Sequence, residues 1–218
     1  GVWSFEDNAY QSGKLANSVP LKIIRDGSFM VLHMENGLIN HVHTGSTEYD
    51  GAKMTEKVRA TSEKENMSLG KSFTFNIKPT PNSFMQLGKR EQTGEDWKEQ
   101  WKRATKNTFN RTGIEGVWGR QMSDPDTIMV KFILDHTWVW VVMNKNTGLI
   151  TRSLGGTFEY NAPEYIEKSE FHFNSPNSIG GTLQSELTVQ GEELSLVGTI
   201  NRDGEKNQLK ETWKRFEW

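Results

Sequence analysis

The chain repeats itself, and that constrains its fold more than any other feature. Gly1-Val2-Trp3 returns as Gly116-Val117-Trp118, and Glu99-Gln100-Trp101-Lys102-Arg103 returns as Glu211-Thr212-Trp213-Lys214-Arg215. Shorter matches lie between them in the same order. Lys22-Ile23-Ile24-Arg25-Asp26 aligns with Lys131-Phe132-Ile133-Leu134-Asp135, and Gly37-Leu38-Ile39 with Gly148-Leu149-Ile150. Glu48-Tyr49 aligns with Glu159-Tyr160, and Glu56-Lys57 with Glu167-Lys168. Matches that keep order at a near-constant spacing mark an internal duplication. The reading is one unit over residues 1–104, a linker over 105–115 and a second unit over 116–218.

Each unit reads as β throughout. Runs rich in β-branched and aromatic residues cover 2–5, 21–25, 28–34, 38–49, 53–62, 71–77, 83–89 and 96–103, separated by turn dipeptides such as Asp26-Gly27, Asn36-Gly37 and Asp50-Gly51. Eight consecutive hairpin-linked strands predict an up-and-down meander closed into a barrel, because closure removes the exposed edges of an open sheet. The expected fold is all-β, two tandem eight-stranded barrels; the alternative is one composite sheet system of sixteen strands. Strand 28–34 places Phe29, Val31 and His33 on one face and Met30, Leu32 and Met34 on the other. Strand 137–143 does the same with Trp138, Trp140 and Val142 against Val139, Val141 and Met143. Apolar residues on both faces imply a contact outside the barrel, such as the other unit. The polar stretch 7–20 is expected to be a loop or short helix, suited to a lid over a barrel mouth.

Composition narrows the function. The 218 residues carry a net charge of −2 with the signs interspersed, so there is no basic nucleic-acid footprint. No apolar run is long enough to span a bilayer. With no cysteine in the chain, disulfides, thiol nucleophiles and thiolate-held metals are excluded. No phosphate-cradling glycine loop or nucleophile elbow occurs, and no carboxylate pair can be placed at glycosidase spacing. The chain is therefore read as a non-enzymatic protein without a cofactor.

The Gly-x-Trp opening on the first strand and the Trp-Lys-Arg on the last resemble the signature of lipocalins and fatty-acid-binding proteins, the calycins. The closer resemblance is to short, exported bacterial lipocalin-like domains of unknown function. Each unit is shorter than most lipocalins, and the central Thr-Asp-Tyr-type motif is absent. The resemblance implies that a basic residue of the last strand packs on the first-strand Trp and latches the closed end of the barrel: Arg103 on Trp3, and Arg215 on Trp118. It also implies a binding role at the open end and a periplasmic or secreted location in the bacterial envelope, with any leader removed.

Three groups of residues are candidates for a site. Trp138 and Trp140 form an aromatic stripe that can stack on a sugar or an apolar ligand. It is heavier than the equivalent Phe29 and Val31 of the first unit, which favours the second unit for binding. Tyr49 and Tyr160 recur after Gly45 and Gly156, and are assigned first to the fold and second to a ligand. His41 and His43 share a face, and His33 lies on the preceding strand, so three imidazoles fall near one another. They are weak metal-ligand candidates, because the second unit has Arg152 and Leu154 at the positions of His41 and His43. The leading expectation is a protein that binds a small hydrophobic or carbohydrate ligand. The alternatives are a structural or protein-interaction module of the envelope with filled barrels, and a metal- or haem-binding barrel.

Overall fold

The structure is a computed structural model, and it describes residues 1–5, 19–63, 68–89, 96–104, 113–202 and 204–218. Among these are sixteen strands and one short 3₁₀ turn, Pro176–Ser178. The first half holds β1 (Val2–Phe5), β2 (Val19–Arg25), β3 (Ser28–Glu35), β4 (Leu38–Tyr49), β5 (Lys53–Thr61), β6 (Ser72–Pro79), β7 (Ser83–Lys89) and β8 (Asp96–Arg103). The second holds β9 (Gly116–Gln121), β10 (Thr127–Leu134), β11 (Thr137–Asn144), β12 (Ile150–Asn161), β13 (Glu164–Phe173), β14 (Thr182–Gln190), β15 (Glu193–Arg202) and β16 (Glu205–Arg215). The stretch 7–18 and most of the expected linker, 105–112, lie outside the described residues.

The all-β reading holds, and so does barrel closure. Each strand from β9 to β15 pairs antiparallel with the next, and β16 returns to pair with β9 through Arg215↔Trp118, closing an eight-stranded barrel. The other eight strands pair in the same sequential order, with β1 against β8 through Trp3↔Arg103. A parallel bridge between β13 and β4, at His172↔Leu38, links the two sets.

The strand alternation sorts the apolar residues into three cores. Outward-facing residues of both halves make the largest. It joins Ile23, Met30, Leu32, Ile39 and Val42 to Val117, Val130, Phe132, Val139, Val141 and Met143. The apolar outer faces of β3 and β11 are thus buried against each other's half. Inside β9–β16 a second core gathers Trp118, Trp138, Leu154, Tyr165, Leu196 and Trp213. On the inner face of β1–β8 a third holds Phe29, Val31, Met54, Val58, Phe84 and Trp101. At about 25 cal/mol per Å² of apolar surface, three such clusters supply the main favourable term in folding.

Ionic contacts stitch the same boundary. Asp135 Oδ2 accepts from the Val2 backbone N–H and from Arg103 Nη1, both at 3.2 Å. Arg25 Nη1 lies 3.8 Å from Glu115 Oε2. The guanidinium carbon of Arg103 is 4.7 Å from the Trp3 ring centroid, and that of Arg215 is 3.9 Å from Trp118. A cation over an indole face is worth about 0.5–2 kcal/mol, depending on desolvation. The second stack explains the glycine that opens the unit: a Cβ on Gly116 would lie 1.5 Å from Arg215 Nη1.

The recurring Gly45 and Gly156 also have a physical cause. Each stands at a register shift, in β4 against β5 and in β12 against β13. A Cβ there would lie 1.9 Å from a facing backbone oxygen, of Lys57 or Lys168. Gly156→Ala is therefore expected to cost about 1–3 kcal/mol by overpacking. The check is a lowered denaturation midpoint, with Gly113→Ala unchanged because that position faces open space.

Candidate functional site

Each half is built around a buried lysine. Lys131 on β10 is fully buried, and its ammonium pairs with the carboxylate of Glu167 on β13. Its nitrogen lies 5.1 Å from the Trp138 ring centroid and 5.5 Å from that of Trp213. Tyr165 donates its hydroxyl to Glu167 at 2.6 Å. Burial, followed by the Glu167 charge, pushes that phenol well above its ordinary value, so it stays a donor.

The first half repeats the arrangement. Lys22 Nζ lies 2.5 Å from Glu56 Oε1, donates to Gln86 Oε1 at 2.8 Å, and stands 5.3 Å from the Trp101 ring centroid. Trp101 Nε1 donates to Glu99 at 3.0 Å, as Trp213 Nε1 donates to Glu211 at 3.1 Å. Burial raises the Glu99 carboxyl. The sequence comparison registers Lys22/Lys131 and Glu56/Glu167 as recurring pairs without assigning them a role. The signal was a charged residue repeated on strands whose neighbours are apolar.

The two inner faces leave different amounts of room. Inside β9–β16 a cavity of about 90 Å³ remains, lined by Lys131, Trp138, Trp140, Glu167, Glu211 and Trp213 among others. Trp138 is buried and donates its indole N–H to Thr157 O at 3.0 Å, while Trp140 is partly buried on that cavity wall. Tyr160 packs edge-on against Tyr165, with centroids 6.4 Å apart. Tyr49 is 54% exposed, and its hydroxyl donates to the Gly51 carbonyl, so it faces away from the inner surface.

The larger space lies in the first half. A pocket of about 330 Å³ is lined by Phe29, Val58, Phe73, Phe75 and Trp97, with His33, His41, His43, Glu56 and Glu63 as its polar wall. A cavity of about 90 Å³ shares His33, His43, Glu56, Phe75 and Trp97 with it and reaches Lys22. Phe75 and Trp97 meet edge to face at 5.4 Å. Together with Phe73 they also wall a broad groove of about 870 Å³ across β5–β8. Phe29, buried at the pocket's base, is the one member of the expected aromatic set on this wall.

The three histidines converge. His33 on β3 pairs across the ladder with His41 on β4, and His43 follows two residues on, on the same face. One nitrogen from each lies within 4.8 Å of one from each of the others. His41 Nε2 is 3.0 Å from His43 Nδ1. Desolvation lowers His33 to about 4, helped by His41, and lowers His41 to about 4. It pushes partly buried His43 well below its ordinary value, with His41, His33 and Lys22 adding to the effect. Burial thus favours the neutral form of all three rings.

No protein-family model, curated protein or solved structure matches the chain. No helix among the described residues is long and apolar enough to cross a membrane.

The buried pairs carry a direct expectation. Lys131→Met alone strands the Glu167 carboxylate and should destabilise by about 3–5 kcal/mol, whereas Lys131→Met with Glu167→Leu and Tyr165→Phe, which also removes the hydroxyl that Glu167 accepts from, should recover most of that loss. Urea unfolding of the two variants against wild type reads the difference.

Proposed function

We propose that the protein is a non-enzymatic binding protein made of two tandem lipocalin-like barrels, which takes a small ligand in the pocket of its first barrel. The pairing of β1 with β8, alongside the closed β9–β16 ring, supports the tandem reading. The observation that carries the binding role is the contrast in free space. Each barrel keeps about 90 Å³ at its lysine–glutamate pair, and the first adds beside it an open pocket of about 330 Å³, within the range of small-molecule sites. The pocket has the composition of such sites, with aromatic walls and a few convergent polar groups. Its ligand is a small molecule with an apolar or sugar-like ring for Phe73, Phe75 and Trp97 and a polar edge for the histidine side.

This moves binding from the second unit, favoured by the Trp138/Trp140 stripe, to the first. In the second unit those indoles line a cavity of about 90 Å³. The interaction-module reading drew on apolar residues on both faces of β3 and β11, and these faces are occupied by each other's half. Exposed large apolar residues among the described ones are Leu38 and Tyr49, at opposite ends of β4, Ile179 after the 3₁₀ turn, and Val197 on β15. The resemblance to exported lipocalin-like domains supports a bacterial-envelope location as part of this reading.

The test is titration with the apolar fluorophore 1-anilinonaphthalene-8-sulfonate. Binding should be saturable and should weaken roughly threefold to tenfold in Trp97→Ala, the worth of one aromatic contact. It should be unchanged in Trp140→Phe. Equal affinity in wild type and Trp97→Ala would sink the proposal.

A further inference from the structure

We infer that His33, His41 and His43 form a binding site for one divalent late first-row transition-metal ion, with a fourth coordination position open to the pocket. The inference builds on the pocket reading only for what faces that open position; the ligand set stands on its own geometry.

The donor set comes first. Three imidazoles without thiolate suit zinc, copper, nickel or cobalt and do not suit magnesium or calcium, which require oxygen ligands. In a tetrahedral zinc site with Zn–N of about 2.0–2.1 Å, ligand nitrogens stand about 3.3 Å apart. The mutual limit of 4.8 Å here, with one pair already at 3.0 Å, brings the three within a small side-chain adjustment of that spacing.

Two further observations point the same way. His33 Nδ1 is buried without a hydrogen-bond partner, a cost that proteins avoid unless another group takes up the lone pair or proton. His41 directs Nε2 toward His43, while its Nδ1 lies 3.5 Å from Glu63 Oε1 and 3.4 Å from Ser62 Oγ. A metal-binding imidazole commonly has its other nitrogen donating to a carboxylate, which sets the ring's tautomer and orientation. Glu63 fits that role as a positioning residue. Arg152 and Leu154 replace His41 and His43 in the second half, so the expected stoichiometry is one ion per chain.

Three protein ligands with a vacant position define a site that takes up an outside donor. The open position would face Glu56 and the aromatic wall, which places a metal-bound water or ligand atom inside the pocket.

The experiment uses the full chain, stripped with a chelator and titrated with Zn²⁺ by calorimetry and with Co²⁺ by visible absorption. One equivalent of Zn²⁺ should bind, and Co²⁺ should develop the intense bands of a four- or five-coordinate imidazole site. Binding should be lost in His33→Gln/His41→Gln, whose fold is checked by circular dichroism. It should be retained in His136→Gln/His172→Gln, which removes the other two histidines of the chain. Glu63→Gln should weaken it by about tenfold or more. No saturable binding, weak six-coordinate Co²⁺ bands, or affinity indifferent to the His33/His41 change overturns the inference. The wild-type Co²⁺ spectrum decides the question even if the double variant fails to fold. The two proposals fail separately. Fluorophore binding without zinc binding removes the metal and leaves the pocket. Zinc binding without fluorophore binding does the reverse.

Discussion

A buried ammonium group must be neutralised where it lies, and both halves of this protein are arranged around that demand. Removing a lysine from water costs several kcal/mol even after relaxation. Lys22 and Lys131 meet it with a carboxylate from the strand three further along, Glu56 and Glu167, and with the indole faces of Trp101 and Trp213 on the last strand. The group thus connects the second, fifth and eighth strands of each half across its interior. It also pins register, since a one-residue slip would turn the lysine to the opposite face of its strand. A wholly apolar interior would stabilise without that discrimination.

The outer faces impose a second constraint. Strands β1–β4 and β9–β12 carry apolar residues on both sides, so one half alone would expose Met30, Leu32 and Val42, or Phe132, Val139 and Val141, to water. Packing the two halves back to back covers these residues, with Asp135 accepting from Val2 and Arg103 across the boundary. The shared core backs only part of the first half. β3 and β4, which carry His33, His41 and His43, have their reverse faces clamped in the shared core. β6 and β8, which carry Phe73, Phe75 and Trp97, do not contribute to it. The polar wall of the pocket is thus backed by the shared core, and the aromatic wall is not.

Much of the fold was legible in the sequence because it is written in local signals. Period-two alternation and turn dipeptides located the first eight strands to within two residues, for example 28–34 against Ser28–Glu35. The repeated strings that mark the first and last strand of each unit lie on strands that pair, Trp3↔Arg103 and Trp118↔Arg215. The site was less legible, because space is not a local property. Trp138 and Trp140 read as a stripe free to stack, yet whether an inward indole lines a cavity or fills it depends on what crosses from the opposite wall. Here Lys131 and Trp213 share with them the lining of a cavity of about 90 Å³. The histidines show the opposite failure. Their register was visible, but the pocket they line with Glu56, Phe29 and Trp97 was not, because those residues lie on other strands or earlier in the same hairpin. The buried lysines were seen only as repeats, since nothing local separates an inward lysine from an outward one on a strand with apolar residues on both faces.

The two copies make the site's logic explicit. Both keep the parts that hold the frame: the lysine, its carboxylate, the closing Trp, and the glycine at the strand bulge. They differ at positions the frame does not need. Met54 in the first half corresponds to Tyr165 in the second, whose hydroxyl binds Glu167 and draws that carboxylate into a closed network. In the first half no tyrosine occupies that place, and Glu56 keeps a wall of the pocket. At the neighbouring inward position the second half has Leu154, which fills space, where the first has His43, which brings a nitrogen donor. Both halves keep a cavity of about 90 Å³ beside the ion pair, walled by Leu154 in the second half and by His43 in the first. The residues that hold the frame and the residues that differ between the halves are thus different positions of the same interior.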